Sequence, residues 1–198
     1  MRNIRHFLPA LALALASVPS WAAYTTYTNS ADFLAQVAPG SYTESFDGLP
    51  AVPPLGPVDF ASGGFKYNAS APSGIYFGAN LLGASNIDED LTVAFTSGNI
   101  KAFGANFYAT DINDDFQETL VRLSLSDGST IEFTPTNIAS SYRGFVSDVA
   151  ITSVTFKAPG QSLYAGLDNL TVGTTPNHDV PEPTSLALVA LAAAGRFA

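Results

Sequence analysis

The chain of 198 residues contains no cysteine, and it has only two histidines, one tryptophan and one methionine. The absence of cysteine excludes disulfides, zinc–thiolate sites and a cysteine nucleophile. His6 and His178 lie near the two ends, so the sequence between them offers no histidine for a catalytic triad or a histidine-ligated metal. Several classes of enzyme and metalloprotein are therefore excluded for the central part of the chain.

Charged residues are also scarce, at 13% of the sequence, and basic ones are scarcest. Residues 23–179 carry five bases against 16 acids, a net charge of about −11. A segment this acidic lacks the basic face that nucleic acid or anionic lipid headgroups require. We therefore expect no nucleic-acid partner, whereas divalent cations and neutral glycans stay open as ligands.

Aromatic residues and turn formers are abundant, with 14 Phe, 8 Tyr, 16 Gly and 13 Pro. Short stretches alternate apolar and polar residues, with turn signals every 8–12 residues, as strands do. The clearest hairpin places Val121, Leu123 and Leu125 on one face before the tight turn Asp127-Gly128. About nine to eleven such strands predict an all-β protein, an antiparallel β-sandwich of jelly-roll-like form.

One short helix is predicted near the N-terminus, in the stretch TNSADFLAQVAPG. Asn29 can cap it, and Asp32 lies near the positive end of its dipole. Phe33, Leu34 and Val37 are expected to form its apolar side, with a glycine just past its end.

The first 22 residues have the parts of a secretory signal peptide. Arg2 and Arg5 supply the positive start, and residues 7–18 form an apolar segment too short for a comfortable membrane span. Small residues favour cleavage between Ala22 and Ala23, so the mature protein is expected to leave the cytoplasm. An uncleaved anchor is the alternative. The predicted division is signal peptide 1–22, β-sandwich 23–174, linker 175–179 and C-terminal tail 180–198.

The tail begins with Val180-Pro181-Glu182-Pro183 and continues as an apolar run. Two prolines so close together exclude a regular helix or central strand there, but Pro183 suits the first turn of a helix. Residues 184–194 are almost all good helix formers. A short C-terminal apolar helix is therefore predicted, either as a separate signal or as a helix packed on the domain.

The signal peptide, the β-rich domain and the Pro-Glu-Pro motif before an apolar helix together resemble the PEP-CTERM proteins. This resemblance implies export, recognition and processing of the tail by a membrane enzyme of the exosortase type, and a location at the cell envelope or outside the cell. It also implies transient anchoring in the membrane by the tail. Jelly-roll domains in that family look like lectins and carbohydrate-binding modules.

The tail departs from the family pattern at its end. Residues 184–195 would form a helix only about 18 Å long, against a hydrocarbon core of about 30 Å. Arg196 is the single base where the family has a basic cluster. The sorting motif is thus assigned to Val180, Pro181, Glu182, Pro183 and Arg196, in shortened form.

Two acids share the phase of apolar residues in their strands, Glu44 with Tyr42 and Asp168 with Leu170. An inward carboxylate needs a compensating charge or several donors. Because sandwiches often bring their first and last strands together, Glu44 and Asp168 are candidate ligands of a structural calcium ion. The alternatives are a strand-edge acid in water, or Asp168 bonded to backbone N–H groups and a nearby base.

A second acidic stretch, TDINDDF, alternates Asp111, Asn113 and Asp115 like the start of an EF-hand loop. The match then fails, because Phe116 occupies the position of the turn glycine and Arg122 that of the bidentate glutamate. An exposed acidic loop is the prediction, with a weak calcium site or ligand loop as the alternative.

The sequence predicts an exported, non-enzymatic protein that is structural or adhesive in an exopolysaccharide matrix. Its expected partners are the export machinery, an exosortase-like enzyme and exopolysaccharide. A calcium-stabilised carbohydrate-binding module is the alternative, with exposed tyrosines as sugar platforms. Paired carboxylates also leave open a glycoside hydrolase. The candidate sugar-binding residues are Tyr67, Tyr76, Tyr108, Tyr142 and Tyr164, although most of them are expected to be core or sheet-face residues.

Overall fold

The computed structural model describes residues 24–49, 56–78 and 80–176. These residues form fourteen strands, one α-helix and one 3₁₀ turn. In chain order the elements are β1 (Thr25–Tyr27), α1 (Ser30–Leu34), β2 (Tyr42–Glu44), β3 (Val58–Ser62), β4 (Phe65–Ser70), β5 (Ile75–Gly78), β6 (Leu81–Ala84), β7 (Leu91–Phe95), β8 (Ala102–Thr110), β9 (Phe116–Gln117), β10 (Val121–Leu125), β11 (Thr130–Phe133), the 3₁₀ turn (Ala139–Ser141), β12 (Tyr142–Val146), β13 (Ser153–Phe156) and β14 (Tyr164–Gly173).

The strands form two antiparallel sheets that pack face to face. The eight-stranded sheet has the order β1-β12-β8-β14-β6-β5, with β2 paired to β14 and β9 paired to β8. The six-stranded sheet has the order β11-β10-β13-β7-β4-β3. The chain alternates between the two sheets from β7 onward, apart from the pairs β8–β9 and β10–β11, which each stay within one sheet. The predicted all-β, jelly-roll-like antiparallel sandwich is confirmed.

The core lies between the two sheets and is built from alternate residues of each strand. In β8, Phe103, Ala105 and Phe107 point into the core. In the hairpin, Val121, Leu123 and Leu125 are buried, and Gly128 has a φ of +89° that its turn requires. The predicted inner face of the hairpin is therefore confirmed.

The N-terminal helix is present where it was predicted. The Asn29 side chain accepts a hydrogen bond from the Asp32 N–H at 2.8 Å, which caps the first turn. Phe33 is fully buried, but Leu34 is 46% exposed. The expected three-residue apolar side is thus wrong for Leu34, because a helix of five residues presents little more than one side chain to the sheet.

Two strands of the eight-stranded sheet lack a readable alternation. All four residues of β6 are buried, and so are eight of the nine residues of β8, all except Asn106. Period-two alternation requires one face to be wet. The sheet instead has apolar cover on its outer face, so a strand such as β6 carries no alternating signal.

Strands are found over the span from Thr25 to Gly173, and the division of the chain into signal peptide, sandwich, linker and tail stays a prediction. The signal peptide, its cleavage site at Ala22 and Ala23, and the sorting tail from Val180 lie outside the described residues. Among the residues that are described, no helix is long and apolar enough to cross a membrane.

Candidate ligand-binding pocket

The outer face of the eight-stranded sheet is covered by rings that lie over glycines. Phe33 lies over Gly144, so closely that a Cβ built on the glycine would be 2.6 Å from the Phe33 Cγ. Tyr142 lies over Gly104, where such a Cβ would be 3.0 Å from the Tyr142 Cζ. Glycine is the residue that lets another group approach a backbone this closely. The rings therefore seal most of this face.

A pocket opens at one end of the same face. It has a volume of about 190 Å³ and lies where β5, β6 and the adjoining ends of β8 and β14 meet the loop after β8. Tyr76 and Tyr164 line it, and Leu81 and Gly83 form its apolar part. Tyr76 points outward because its neighbours Ile75 and Phe77 point into the core.

Polar groups in the pocket are held in place but keep free bonding capacity. The Tyr76 hydroxyl donates to Asp114 Oδ2 at 2.7 Å, and this bond, followed by burial, raises the pKa of Tyr76. Among the described residues, nothing donates to the second oxygen, Asp114 Oδ1. Thr110 is only 3% exposed and lines the pocket, yet its hydroxyl has no hydrogen-bond partner in the described part of the chain. Both groups can therefore bind a ligand.

The loop that carries Asp114 is organised by Asp111. Asp111 Oδ1 accepts hydrogen bonds from the N–H groups of Asn113 at 2.8 Å and Asp115 at 3.1 Å, and its Oδ2 accepts one from Gln117 Nε2 at 3.2 Å. The alternating acids of TDINDDF thus form an Asx-type turn. The turn holds Asp114 at a φ of +65°, where aspartate is tolerated better than most residues.

Glu44, one of the two proposed calcium ligands, points toward the inside of the sandwich. It lies opposite the core residue Leu170 in the β2–β14 pair. Its carboxylate accepts a hydrogen bond from the Tyr42 hydroxyl at 2.5 Å and one from the Phe46 N–H at 3.1 Å. These two donors therefore satisfy the hydrogen-bonding needs of the Glu44 carboxylate.

Asp168, the second proposed ligand, points to the opposite side of the sheet. A β-bulge follows it, since Asp168 pairs with Asn106 whereas Thr171 pairs with Gly104. Asn169 occupies the bulge with a φ of +53°. The expectation that Asp168 shares the phase of Leu170 is wrong, because the extra residue reverses the faces of the strand. The structure does not bring Glu44 and Asp168 together.

Burial raises the pKa of Asp168 to about 6, although the Asn169 N–H donates to it, and the negative charge of Asp47 raises the pKa further. Among the described residues no base pairs with Asp168: Arg143 stacks on Phe133, 3.5 Å from the ring centroid, and Lys157 pairs with Asp90. The described residues contain no cluster of three or more His, Asp or Glu that could hold a metal ion. Calcium binding stays a prediction, which melting with and without calcium tests.

Of the five tyrosines predicted as sugar platforms, the structure places two in the pocket. Tyr76 and Tyr164 line it, whereas Tyr67 is buried in the core between the sheets. Tyr108 and Tyr142 are buried on the outer face. Neither Thr110 nor Asp114 was predicted as a site residue; Asp114 lies between the alternating residues Asn113 and Asp115 of the loop.

The arrangement can hold one small polyhydroxylated group against an aromatic surface. It offers two tyrosine side chains, a free carboxylate oxygen and a hydroxyl. Comparison of the chain with protein-family models, with curated proteins and with solved structures finds no match.

Proposed function

We propose that this chain is an adhesive, non-catalytic protein that binds a sugar residue of an extracellular glycan in the pocket between Tyr76 and Tyr164. The observation that supports this best is the combination of two tyrosines with two free polar groups in one concave site. Sugars present both C–H faces and hydroxyl groups. A site for them therefore needs an apolar ring surface beside fixed hydrogen-bonding groups.

The size of the pocket supports a small part of a glycan as the ligand. Its volume of about 190 Å³ is below the roughly 300 Å³ at which pockets for drug-sized molecules begin. It therefore suits a single sugar ring, such as the end or a branch of a chain. The rest of the glycan would lie outside, along the exposed rim near Ile112, which is 77% exposed.

The bonding of the two pocket carboxylates supports binding rather than hydrolysis. A glycosidase needs one carboxyl as an acid and a second as a base or nucleophile. Asp111 accepts three hydrogen bonds that hold its own loop. Asp114 keeps one free oxygen, so the pocket offers one carboxylate for a ligand. We expect no sugar release from oligosaccharides that the protein binds.

The two ends of the chain support an extracellular location for this activity. The signal peptide at residues 1–22 would direct export, and the PEP-CTERM-like tail would be processed by an exosortase-like enzyme. An exported glycan-binding domain would then adhere to the exopolysaccharide around the cell. This part of the proposal depends on sequence motifs alone.

A glycan array followed by calorimetry on the full-length chain tests the pocket. Tyr164→Ala should weaken binding of the selected glycan by about tenfold or more, because stacking surface is lost. The matched control is Tyr27→Ala, which removes a partly buried tyrosine at the opposite edge of the same sheet. Equal losses in both variants, or binding by neither wild type nor variant, would contradict the proposal.

Intact-mass analysis of cell-surface and medium fractions tests the sorting signal. The double variant Pro181→Ala, Pro183→Ala should change processing or location and leave the melting temperature of the domain unchanged. A lower melting temperature would instead indicate that the tail packs on the domain.

A further inference from the structure

The pocket is an uncompensated negative site. Asp111 and Asp114 line it, and no lysine or arginine does. Two of the bases in the described domain are already paired elsewhere, Arg122 with Glu132 and Lys157 with Asp90. Within the described part of the chain, a ligand in the pocket therefore meets carboxylates and no lining lysine or arginine.

The free oxygen of Asp114 is held in a fixed position. The Tyr76 hydroxyl fixes the carboxylate from one side. The Asp114 N–H donates to the Asp111 carbonyl at 3.1 Å, and the Asp111 N–H donates to the Asp115 carbonyl at 3.1 Å, which closes the loop. A carboxylate oxygen that is positioned in advance forms stronger hydrogen bonds with a cation than with a neutral hydroxyl.

A second group points to a ligand at the same place. Thr110 is almost fully buried, and its side chain is on the outer face because its neighbour Ala109 points into the core. Thr110 lines the pocket, and its hydroxyl makes no hydrogen bond to another described residue. A hydroxyl can both donate and accept, so it is available to a ligand. The pocket thus presents one negatively charged hydrogen-bond acceptor, Asp114 Oδ1, beside one neutral hydroxyl, that of Thr110.

We propose that the pocket selects a sugar residue that carries a free, protonated amino group, and that it discriminates against uronic acids. This inference depends on the proposed glycan binding, which it makes more specific. The ammonium group would donate to Asp114 Oδ1, and a ring hydroxyl would bond to Thr110. A uronate in the same place would meet Asp111 and Asp114 with like charge and no compensating base.

Calorimetry or NMR titration with matched trisaccharides tests the selectivity on the full-length chain. The probes are β-1,4-linked trimers of glucose, N-acetylglucosamine and glucosamine, which differ in the group at C2, and a trimer of galacturonate. The experiment is done at about pH 6. The C2 amine of glucosamine is protonated there, because its pKa is close to that of an α-amino group. The glucosamine trimer should bind about five- to tenfold more tightly than the glucose trimer, and less so in high salt.

Asp114→Asn should reduce that preference to about twofold or less, because asparagine keeps the shape but removes the charge. The control is Asp59→Asn, which removes an exposed charge from β3 of the other sheet and should keep the preference. Equal binding of all three neutral and cationic trimers would overturn the inference and leave glycan binding intact. A preference that survives Asp114→Asn, or tight binding of galacturonate, would also overturn it. Binding of none of the probes or array glycans would overturn the proposed function itself.

Discussion

The two sheets of the sandwich share a core but differ in what lies on their outer faces. The outer face of the six-stranded sheet is wet, and it carries polar pairs such as Thr92 and Thr155, whose hydroxyl oxygens are 3.0 Å apart. The outer face of the eight-stranded sheet is covered by Phe33 and Tyr142, which lie over glycines. A sheet with one wet face needs no further packing, whereas a covered sheet can form a pocket where its cover ends.

The largest effect should come from filling a glycine position under the cover. In Gly144→Ala the new Cβ would lie 2.5 to 2.8 Å from three atoms of Phe33, so the ring and helix α1 must shift. We expect a loss of about 2–4 kcal/mol in the free energy of unfolding. Urea denaturation measures it, with Ser124→Ala on the wet sheet as a control that should change stability by about 0.5 kcal/mol or less.

The same substitution also tests whether Phe33 is the cause. In the double variant Gly144→Ala, Phe33→Ala the second change should cost less than Phe33→Ala alone, because the clash disappears with the ring. Additive losses would show that Gly144→Ala destabilises the fold by another route.

The second prediction concerns the partly buried carboxylate of Asp168 on the covered face. Its pKa is about 6 in the folded protein, against an ordinary value of 3.8. Well below pH 3.8 the group is protonated in both states; the penalty on the folded state grows as pH rises from 3.8 to about 6 and is constant above that. Because the side chain is only half-buried, solvent screening limits the penalty to about 1 kcal/mol.

Asp168→Asn should therefore stabilise the protein by about 1 kcal/mol at pH 7 and by almost nothing at about pH 3, where the carboxyl is protonated in both states. Thermal melts at the two pH values measure this. Asp59→Asn on the wet sheet should show no such dependence on pH. A gain that is equal at both pH values would mean that charge is not responsible.

A third prediction compares the loss of a tyrosine hydroxyl on the covered part of the face with the same loss in the pocket. The Tyr142 hydroxyl is buried without a hydrogen-bond partner among the described residues, and burial raises its pKa. Tyr142→Phe should therefore be neutral or stabilise the fold by up to about 1 kcal/mol. Tyr76→Phe removes a bonded hydroxyl and should destabilise by about 0.5–1 kcal/mol. Denaturation of both variants compares them, and a clear loss in Tyr142→Phe would contradict the prediction.

The smallest effect is expected on the hairpin of the wet sheet. Arg122 Nε lies 2.7 Å from Glu132 Oε1, but both side chains are about half exposed, at 50% and 53%. Arg122→Ala should cost about 0.5 kcal/mol or less, and less still in high salt. A larger, salt-independent loss would indicate that the stem of Arg122 contributes by packing.

The contrast between the sheets also explains which features the sequence predicts. Val121, Leu123 and Leu125 alternate with polar residues because β10 has one wet face, so their burial could be read from the pattern. All four residues of β6 are buried, so its sequence shows no alternation of apolar and polar residues. Asn29 identified α1 because a cap acts on the N–H groups of its own first turn.

The candidate site was only partly predictable. Tyr76 and Tyr164 were named as aromatic candidates, but so were three tyrosines that are buried. Asp114 could not be predicted as a site residue from the sequence, because its role depends on Tyr76, which is 38 residues distant in sequence. Asp168 was assigned to the wrong face, because a bulge adds a residue without altering the apparent pattern of the strand.

The sequence by itself determined the antiparallel β-sandwich, the capped helix, the acidity of the domain and the absence of histidine and cysteine chemistry from it. These properties depend on composition and on local periodicity. The tertiary structure alone decided which glycines lie under rings, which face Asp168 occupies, and that Tyr76, Thr110 and Asp114 meet in one pocket. Those features depend on the register between strands and on side chains far apart in the chain, which local physical chemistry does not fix.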